Sequence, residues 1–479
     1  MHKATIWLTF LLNACASAPA YREPEVEIPT AFRERLDTLA PPAQPSPNAV
    51  PVATADTAVV GEYWRALGDT TLVRLLEEAL GANLDMRAAE ARIRGARASR
   101  FEAQLDFVPT VIATAGYTRQ RIASASFPVS GGGSFPDQDI WDAGFDAFWE
   151  VDVFGRIRRG VQAQGALVGA AEEDLRNVRV SLAAEVARAY FELRGAQELL
   201  AVAQRNGQNQ RRTLELTRER LEGGRGTAFD TERAQTQLSS TLALIPPFEE
   251  RVATAQYRLG VLVGRPPAEV ARELDSIAPR PPLPPGVAVS SADTLIRRRP
   301  DVSAAERRVA AEHAFVGASK AEYWPRLSVG GSAGLTSDEF EDLGGDGTFR
   351  YAVGPVVTWP FLNLGRVKAR TDQARSLEDE ARAAYDQTVL LALEEVESSL
   401  VSYRTSLARM AQTRDAAEAS ARAADLARLR FTGGVADFLQ VLDAERTQLE
   451  SENQLALART VASNNYASLY KALGGEPMQ

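Results

Sequence analysis

The sequence has very few residues of the kinds that build catalytic, metal or disulfide sites. Its 479 residues include a single cysteine, Cys15, and two histidines, His2 and His313. One cysteine excludes a disulfide within the chain, and so small a set of nucleophiles and bases disfavours a periplasmic hydrolase. We therefore expect no catalytic residues, no metal and no cofactor.

The chain also lacks long apolar runs and an excess of basic charge. No uninterrupted apolar run reaches the roughly 18 residues that a membrane-spanning helix needs. The formal net charge is −9, whereas phosphate contacts need clustered lysine and arginine. These absences argue against a transmembrane helix and against nucleic-acid binding.

The N-terminus has the pattern of a secretion signal. An apolar run to Leu12 leads into Leu-Asn-Ala-Cys, which resembles a bacterial lipobox and predicts lipidation of Cys15. Asn13 departs from that motif. The alternative is cleavage near Ala18 or Ala20, which would leave no lipid.

Residues 141–153 (WDAGFDAFWEVDV) alternate between apolar and mostly acidic positions. Successive side chains of a strand point to opposite faces, so this segment predicts a β-strand with an apolar face and an acidic face. Its length suits a tilted membrane crossing better than a globular strand. We expect the apolar face to meet lipid and Asp142, Asp146 and Glu150 to line a water-filled barrel lumen.

A second segment, residues 349–361, repeats this alternation. Each copy has Trp, five residues, then Gly-Arg: Trp149 precedes Gly155-Arg156 and Trp359 precedes Gly365-Arg366, an offset of 359 − 149 = 210. Alternating segments at 110–120 and 327–336 supply a partner for each. The sequence therefore predicts two β-hairpins and four strands.

Most of the remaining chain has helical spacing. We predict a helix over 67–107, a long coiled-coil helix over 159–221, and a return helix to Val263 that Pro246-Pro247 kinks. The second half carries a matching seam from Val389 to Met410.

The two halves are related by a constant spacing. The offset is 216 from Pro109 to Pro325 and 210 from Gly224 to Gly434, and such offsets held over about 120 residues indicate an internal duplication. We divide the chain into a signal peptide (1–14), a lipidated extended segment packing at the waist (15–66), a first repeat (67–264, hairpin 109–153, turn 221–230), a Pro-rich equatorial linker (265–290), a second repeat (291–474, hairpin 325–361, turn 431–440) and a short tail (475–479).

Four strands cannot close a barrel, and open sheet edges are not tolerated in lipid, so subunits must combine. Two subunits would give eight strands and a nearly filled interior, whereas three would give twelve and leave a lumen. We predict an α+β membrane protein in which a trimeric 12-stranded β-barrel, four strands per chain, continues into a long α-helical coiled-coil barrel.

Along nearly its whole length the chain resembles the TolC/OprM-type outer membrane efflux proteins, specifically their lipoprotein branch. The resemblance rests on the duplicated layout, the Trp-x5-Gly-Arg motifs, and three further motifs: Ile245-Pro246-Pro247, Leu-x-Gly-Arg-Pro-Pro at 262–267, and Arg430-Phe431-x-x-Gly434 with Leu442-Asp443-Ala444. It implies a homotrimer in outer membrane lipid with its helical tunnel in the periplasm. It also implies passive export of small molecules from an inner-membrane pump, proton-driven in most of this branch, through a periplasmic adaptor.

The resemblance places functional residues at the far ends of the long helices. It implies that Leu439, Asp443 and Arg446 form a periplasmic gate. There the three Asp443 carboxylates of a trimer would lie around the symmetry axis and repel one another. The alternative is that Asp443 and Arg446 form a surface pair worth a few tenths of a kcal/mol. The adaptor-docking tips would comprise Gly224, Arg225, Thr227, Phe229, Gly434 and Asp437. The alternative there is that the tips are only helix-hairpin turns.

Two other functions explain part of the pattern. The outer membrane channel of a type I protein secretion system would have the same layout. A structural coiled-coil surface protein explains the helical seams but neither the four strands nor the signal.

Overall fold

The computed structural model describes residues 21–24, 28–29, 31–33, 63–122, 136–284 and 291–475, which are mostly helical with one four-stranded β-sheet. Cys15, the signal peptide and most of segment 15–66 lie outside these residues. Of the helices in the described ranges, none combines the length and apolarity that crossing a membrane requires.

The first half contains two strands between helices. A 3-10 turn over Arg65–Leu67 comes first. The elements that follow are α1 (Thr70–Ala82), α2 (Leu84–Leu105), β1 (Thr110–Gln120), β2 (Gln138–Val151), α3 (Arg156–Glu222), α4 (Ala228–Leu242), α5 (Ile245–Leu262) and α6 (Pro267–Glu273).

The second half has a similar order of elements. They are α7 (Ala292–Arg298), α8 (Pro300–Ala321), β3 (Arg326–Ser337), β4 (Phe349–Thr358), a 3-10 turn (Phe361–Asn363), α9 (Leu364–Thr432) and α10 (Phe438–Ala472).

The prediction of a single helix over 67–107 was wrong, because the helix is interrupted at Asn83. Asn83 is extended, and its side-chain oxygen accepts hydrogen bonds from the amides of Asp85 at 2.8 Å and Met86 at 3.3 Å. An asparagine in this position satisfies amides at the start of the next helix, so it ends α1 and begins α2.

The kink expected at Pro246-Pro247 is a helix boundary. Helix α4 ends at Leu242 and α5 begins at Ile245 with the prolines in its first turn. Proline is tolerated there because the first amides of a helix have no partner within it.

The four strands form one antiparallel sheet in the order β1-β2-β3-β4. Asp142 lies opposite Thr336, whereas Phe145, Ala333 and Tyr351 share a row across β2, β3 and β4. Because alternation and register agree across the strands, polar and small residues dominate one face and apolar residues the other. The predicted strands are confirmed, and β2–β3 pairing joins the two hairpins. Strands β1 and β4 form the two edges.

Contacts divide the chain into two compact units. The sheet unit comprises the described residues within Met1–Glu25, Arg92–Glu172 and Ala304–Tyr385, and it holds all four strands. The tip unit comprises the described residues within Val26–Ala91, Glu173–Ser303 and Asp386–Gln479, and it holds both turns at the ends of the long helices. Each unit draws on both halves of the sequence, so neither half is a compact unit by itself.

Equivalent positions of the two halves make equivalent contacts in the tip unit. The side-chain amide of Asn83 donates to the Leu262 carbonyl at 2.9 Å, and the guanidinium of Arg299 donates to the Ala472 carbonyl at 2.6 Å. Burial opposes the charge of Arg299, but its hydrogen bonds to Asp301 and Glu395 outweigh that effect and raise its pKa. In both halves, a side chain just before the second helix thus donates to the C-terminal end of a later helix, α5 in the first half and α10 in the second.

The sheet unit repeats this correspondence. The indole of Trp149 donates to the Phe107 carbonyl at 2.9 Å, and the indole of Trp359 donates to the Tyr323 carbonyl at 3.1 Å. Trp149 lies near the end of β2 and Trp359 directly follows β4, and each carbonyl precedes the first strand of the same hairpin. The Trp in the Trp-x5-Gly-Arg motif therefore ties the two ends of its hairpin together.

Candidate functional site

Both long helices end in the same glycine turn. Gly224 and Gly434 have φ values of 67° and 77°, which residues with a Cβ rarely adopt. The Arg225 amide donates to the Arg220 carbonyl at 2.7 Å, and the second turn has the equivalent bond at 3.0 Å. The two glycines are therefore required by the turn itself.

Two of the residues predicted to dock a partner cap the helices that leave these turns. The Thr227 hydroxyl accepts a hydrogen bond from the Asp230 amide at 3.2 Å, and Asp437 accepts one from the Gln440 amide at 3.1 Å. Each cap satisfies an amide that the helix cannot. Thr227 and Asp437 thus have a structural role whether or not a partner binds.

Large apolar side chains are exposed around both turns. Phe229 is 67% exposed, and Leu439, at the equivalent position of the second turn, is 52% exposed. Arg225 is exposed as well, and its equivalent, Val435, is 69% exposed. Val435 was not among the predicted docking residues, although it lies 210 residues after Arg225, the offset that relates the two turns.

A small core beneath the turns holds the two helix hairpins together. Its buried members come from both halves of the chain: Leu214, Ala234, Leu238, Phe431, Phe438 and Val441. The Arg220 guanidinium stacks 4.1 Å from the centre of the Phe431 ring and donates to the Phe431 carbonyl. The exposed residues of the turns therefore rest on a packed base.

The three gate candidates lie along one stripe of α10. Leu439, Asp443 and Arg446 are spaced by four and three residues, which places them on one face of a helix, and all three are exposed. No ion pair joins Asp443 to Arg446 in the part of the chain that the structure describes. The surface-pair alternative is therefore not what this structure contains.

A second stripe of α10 is buried and polar. Glu445 is 2% exposed, and its Oε1 accepts hydrogen bonds from the Thr213 hydroxyl of α3 at 2.8 Å and from Arg428 Nε of α9 at 2.9 Å. No local sequence pattern distinguishes this carboxylate from its neighbours, because only the packing of three helices buries it.

Hydrogen bonds continue from Glu445 up the same stripe. Arg428 also donates to Gln448 at 2.8 Å, Gln448 donates to Glu452 at 2.9 Å, and Asn206 of α3 donates to Glu452 at 3.0 Å. We call Asn206, Thr213, Arg428, Glu445, Gln448 and Glu452 the α10 network. It links α10 to both long helices.

The polar face of the sheet holds the predicted lumen residue Asp142 in a cluster. Arg350 of β4 donates to Asp142 at 2.7 Å, and the Thr336 hydroxyl of β3 does so at 2.7 Å. Arg350 lies in β4, two strands away from Asp142. The charge of Asp142 is therefore compensated within the sheet.

The other two lumen candidates differ from each other. Glu150 forms a two-pronged ion pair with Arg156, the arginine of the Trp-x5-Gly-Arg motif, at 2.9 and 2.8 Å. Asp146 accepts a hydrogen bond from Thr114 at 3.2 Å. Among the described residues, Asp146 has no arginine within ion-pair distance, so it contributes most to the negative charge of this face.

His313 lies beside a carboxylate of a neighbouring helix. Its Nδ1 lies 2.9 Å from Glu378 of α9. Within the described ranges, no group of three or more His, Cys, Asp or Glu residues is placed to hold a metal ion.

Comparison with known proteins identifies the relatives of this chain. The family described as outer membrane efflux protein matches residues 75–265 and 292–475. The probable efflux pump outer membrane protein TtgC of Pseudomonas putida is 28% identical over 97% of this chain and 93% of its own. The pyoverdine export outer membrane protein OpmQ of Pseudomonas aeruginosa is 29% identical over 97% and 94%. The structure of the outer-membrane channel OprN superposes with a TM-score of 0.84 and 34% identity, covering 97% of this chain and all of that one. The chain belongs to the outer membrane efflux protein family.

Proposed function

We propose that three copies of this chain close a 12-stranded barrel in the outer membrane and a helical tunnel in the periplasm, as the channel of a tripartite efflux system. The observation that carries this proposal is the sheet, which has one apolar face and two edges, β1 and β4, that are paired on one side only among the described residues. Lipid does not tolerate unpaired edges. Because neighbouring strands alternate in direction, β4 of one copy can pair antiparallel with β1 of the next.

The partners follow from the same proposal. TtgC is named as part of an efflux pump and OpmQ as an export protein. We infer that this chain receives small molecules from an inner-membrane pump, driven by protons, through a periplasmic adaptor. The equivalent contacts of Asn83 and Arg299, and of Trp149 and Trp359, support an internal duplication behind this architecture.

The gate is assigned to the exposed stripe of α10. Asp443 and Arg446 have no ion pair with each other within the described part of the chain, so their charges are available to neighbouring copies. Leu439, 52% exposed beside them, would form an apolar collar. On the polar face of the sheet, Asp146 would be the main lumen charge, with Asp142 and Glu150 compensated by their arginines.

The glycine turns are assigned to adaptor docking. Phe229, Val435 and Arg225 are exposed on a packed base, so an apolar partner surface could bury them without reorganising the tips. Thr227 and Asp437 would shape the surface through their caps, and Gly224 and Gly434 through their turns.

Wild-type protein extracted from outer membranes should migrate as a heat-sensitive trimer and conduct ions in planar bilayers. In cells, Phe229→Asp with Val435→Asp should keep that trimer but lose chemical cross-linking to the periplasmic adaptor, because the exposed tip becomes charged. Phe340→Asp, at a phenylalanine of the sheet unit that is 63% exposed, is the control. A wild-type monomer without conductance would refute the proposed function, and unchanged cross-linking would refute the docking assignment.

Lipid anchoring rests on Cys15 alone. Cys15→Ala should abolish labelling by radioactive palmitate but leave the trimer assembled, because twelve strands would still hold it in the bilayer. If the wild type takes up no label, Asn13 prevents recognition of the lipobox and cleavage occurs downstream of Cys15.

A further inference from the structure

We propose that the polar face of the sheet holds a binding site for small organic cations that carry an aromatic group. The site comprises a depression beside Phe148 and the carboxylate of Asp146 at its rim. The proposal rests on the channel function above, in which this face lines the lumen, and it names a class of molecule that the barrel would bind during export.

The depression is formed where glycines replace side chains on two neighbouring strands. Phe148 of β2 lies opposite Gly330 of β3, which in turn lies opposite Gly354 of β4. Among the described residues, a Cβ atom added at Gly354 would meet nothing within 4 Å, and one added at Gly330 would meet only the Val356 side chain, at 3.7 Å. The two glycines therefore leave open a space of about 830 Å³ next to Phe148. Volumes of this size are typical of sites for small molecules.

The side chains around this depression are apolar, although the face is otherwise polar. Phe148 is 53% exposed, and Ile112 of β1 and Val356 of β4, which line the same depression, are exposed as well. Exposed apolar side chains that cluster on a polar surface indicate contact with an apolar group. An aromatic ring also attracts a cation over its face. These three residues therefore suit a ligand with an aromatic group close to a positive charge.

The charge at the rim of the depression comes from Asp146. This residue lies in the next row on the same face as Phe148, and it lines the depression. Asp142 and Glu150, on either side of it along β2, are paired with arginines. No arginine lies within ion-pair distance of Asp146 in the part of the chain that the structure describes. A cation in the depression would therefore meet an uncompensated carboxylate, and an anion would be repelled.

The test measures how two cations of equal charge block the ion current in planar bilayers. Benzyltriethylammonium carries an aromatic ring and tetraethylammonium does not, so the first should half-block wild-type trimers at an about tenfold lower concentration. Gly354→Leu fills the depression and should abolish this preference. Asp146→Asn keeps the shape of the side chain but removes its charge, so it should raise the half-blocking concentration of benzyltriethylammonium several-fold.

Gly116→Leu is the matched control for a narrower lumen. Gly116 also lies on the polar face, opposite Asp142, and an added Cβ would meet nothing within 4 Å among the described residues, but it does not line the depression. This variant should keep the preference for benzyltriethylammonium. The yield of heat-sensitive trimer shows whether each variant assembles, and Asp146→Asn tests the site even if Gly354→Leu does not assemble.

The outcomes separate the site from the channel. If wild-type trimers conduct but the two cations block them equally, the site is refuted while the channel function stands. The site is also refuted if Gly354→Leu and Gly116→Leu behave alike, or if Asp146→Asn is blocked like the wild type. If the wild type forms no conducting trimer, the channel function fails and the site fails with it.

Discussion

Val353→Arg should prevent assembly of the trimer, whereas Ala352→Arg, on the neighbouring residue of the same strand, should leave it assembled. Val353 is 74% exposed and lies on the apolar face of β4. An arginine facing lipid near the bilayer midplane costs about 2–4 kcal/mol, and three copies multiply that cost. Ala352 lies in one row with Ser332 and Asp146 on the polar face, where an arginine would meet water and a carboxylate.

The measurement is the yield of heat-sensitive trimer from outer membranes, with total expression as the reference. Phe145→Arg, on the apolar face of β2, should behave like Val353→Arg, and Asp146→Asn should assemble normally. Equal tolerance of arginine at 352 and 353 would mean that neither face of the sheet meets lipid, and the barrel assignment would have to be abandoned.

The strands could be predicted because their signal is local. Alternation in residues 141–153 depends only on successive side chains, and the register of the sheet then follows from matching faces. The break at Asn83 was missed because asparagine is tolerated within helices, and only the capping bonds to Asp85 and Met86 distinguish a boundary. The helical periodicity continues on both sides of Asn83, so the sequence pattern alone predicts one helix rather than two.

The candidate site was predicted less completely, because much of it depends on contacts between distant segments. Glu150 looked like a lumen charge, yet its carboxylate is paired with Arg156. Arg350 lies 208 residues from Asp142, and no local pattern relates them. Glu445 is one of three glutamates in Glu445–Glu452, and helical spacing alone does not show which one is buried. Such partners become visible only when the packing of the helices and strands is known.

Asp443→Asn should weaken the preference of the channel for cations, and Arg446→Ala should raise its conductance several-fold. Both residues are exposed on the stripe that Leu439 begins, and they form no ion pair with each other in the described chain. Three carboxylates around one axis attract cations, while arginines that bridge neighbouring copies would hold the constriction together. The two substitutions therefore separate selectivity from closure.

Salt concentration distinguishes these electrostatic effects from a change of shape. The Debye length falls from about 10 Å at 0.1 M to about 3 Å at 1 M salt, so the difference in selectivity between Asp443→Asn and wild type should shrink across that range. Glu450→Gln removes an equal charge from α10 and should change neither property at either concentration. If Asp443→Asn and Arg446→Ala also behave like the wild type, the constriction lies outside this stripe. A selectivity difference that persists unchanged at 1 M salt would instead mean that Asp443 acts by shaping the pore rather than by its charge.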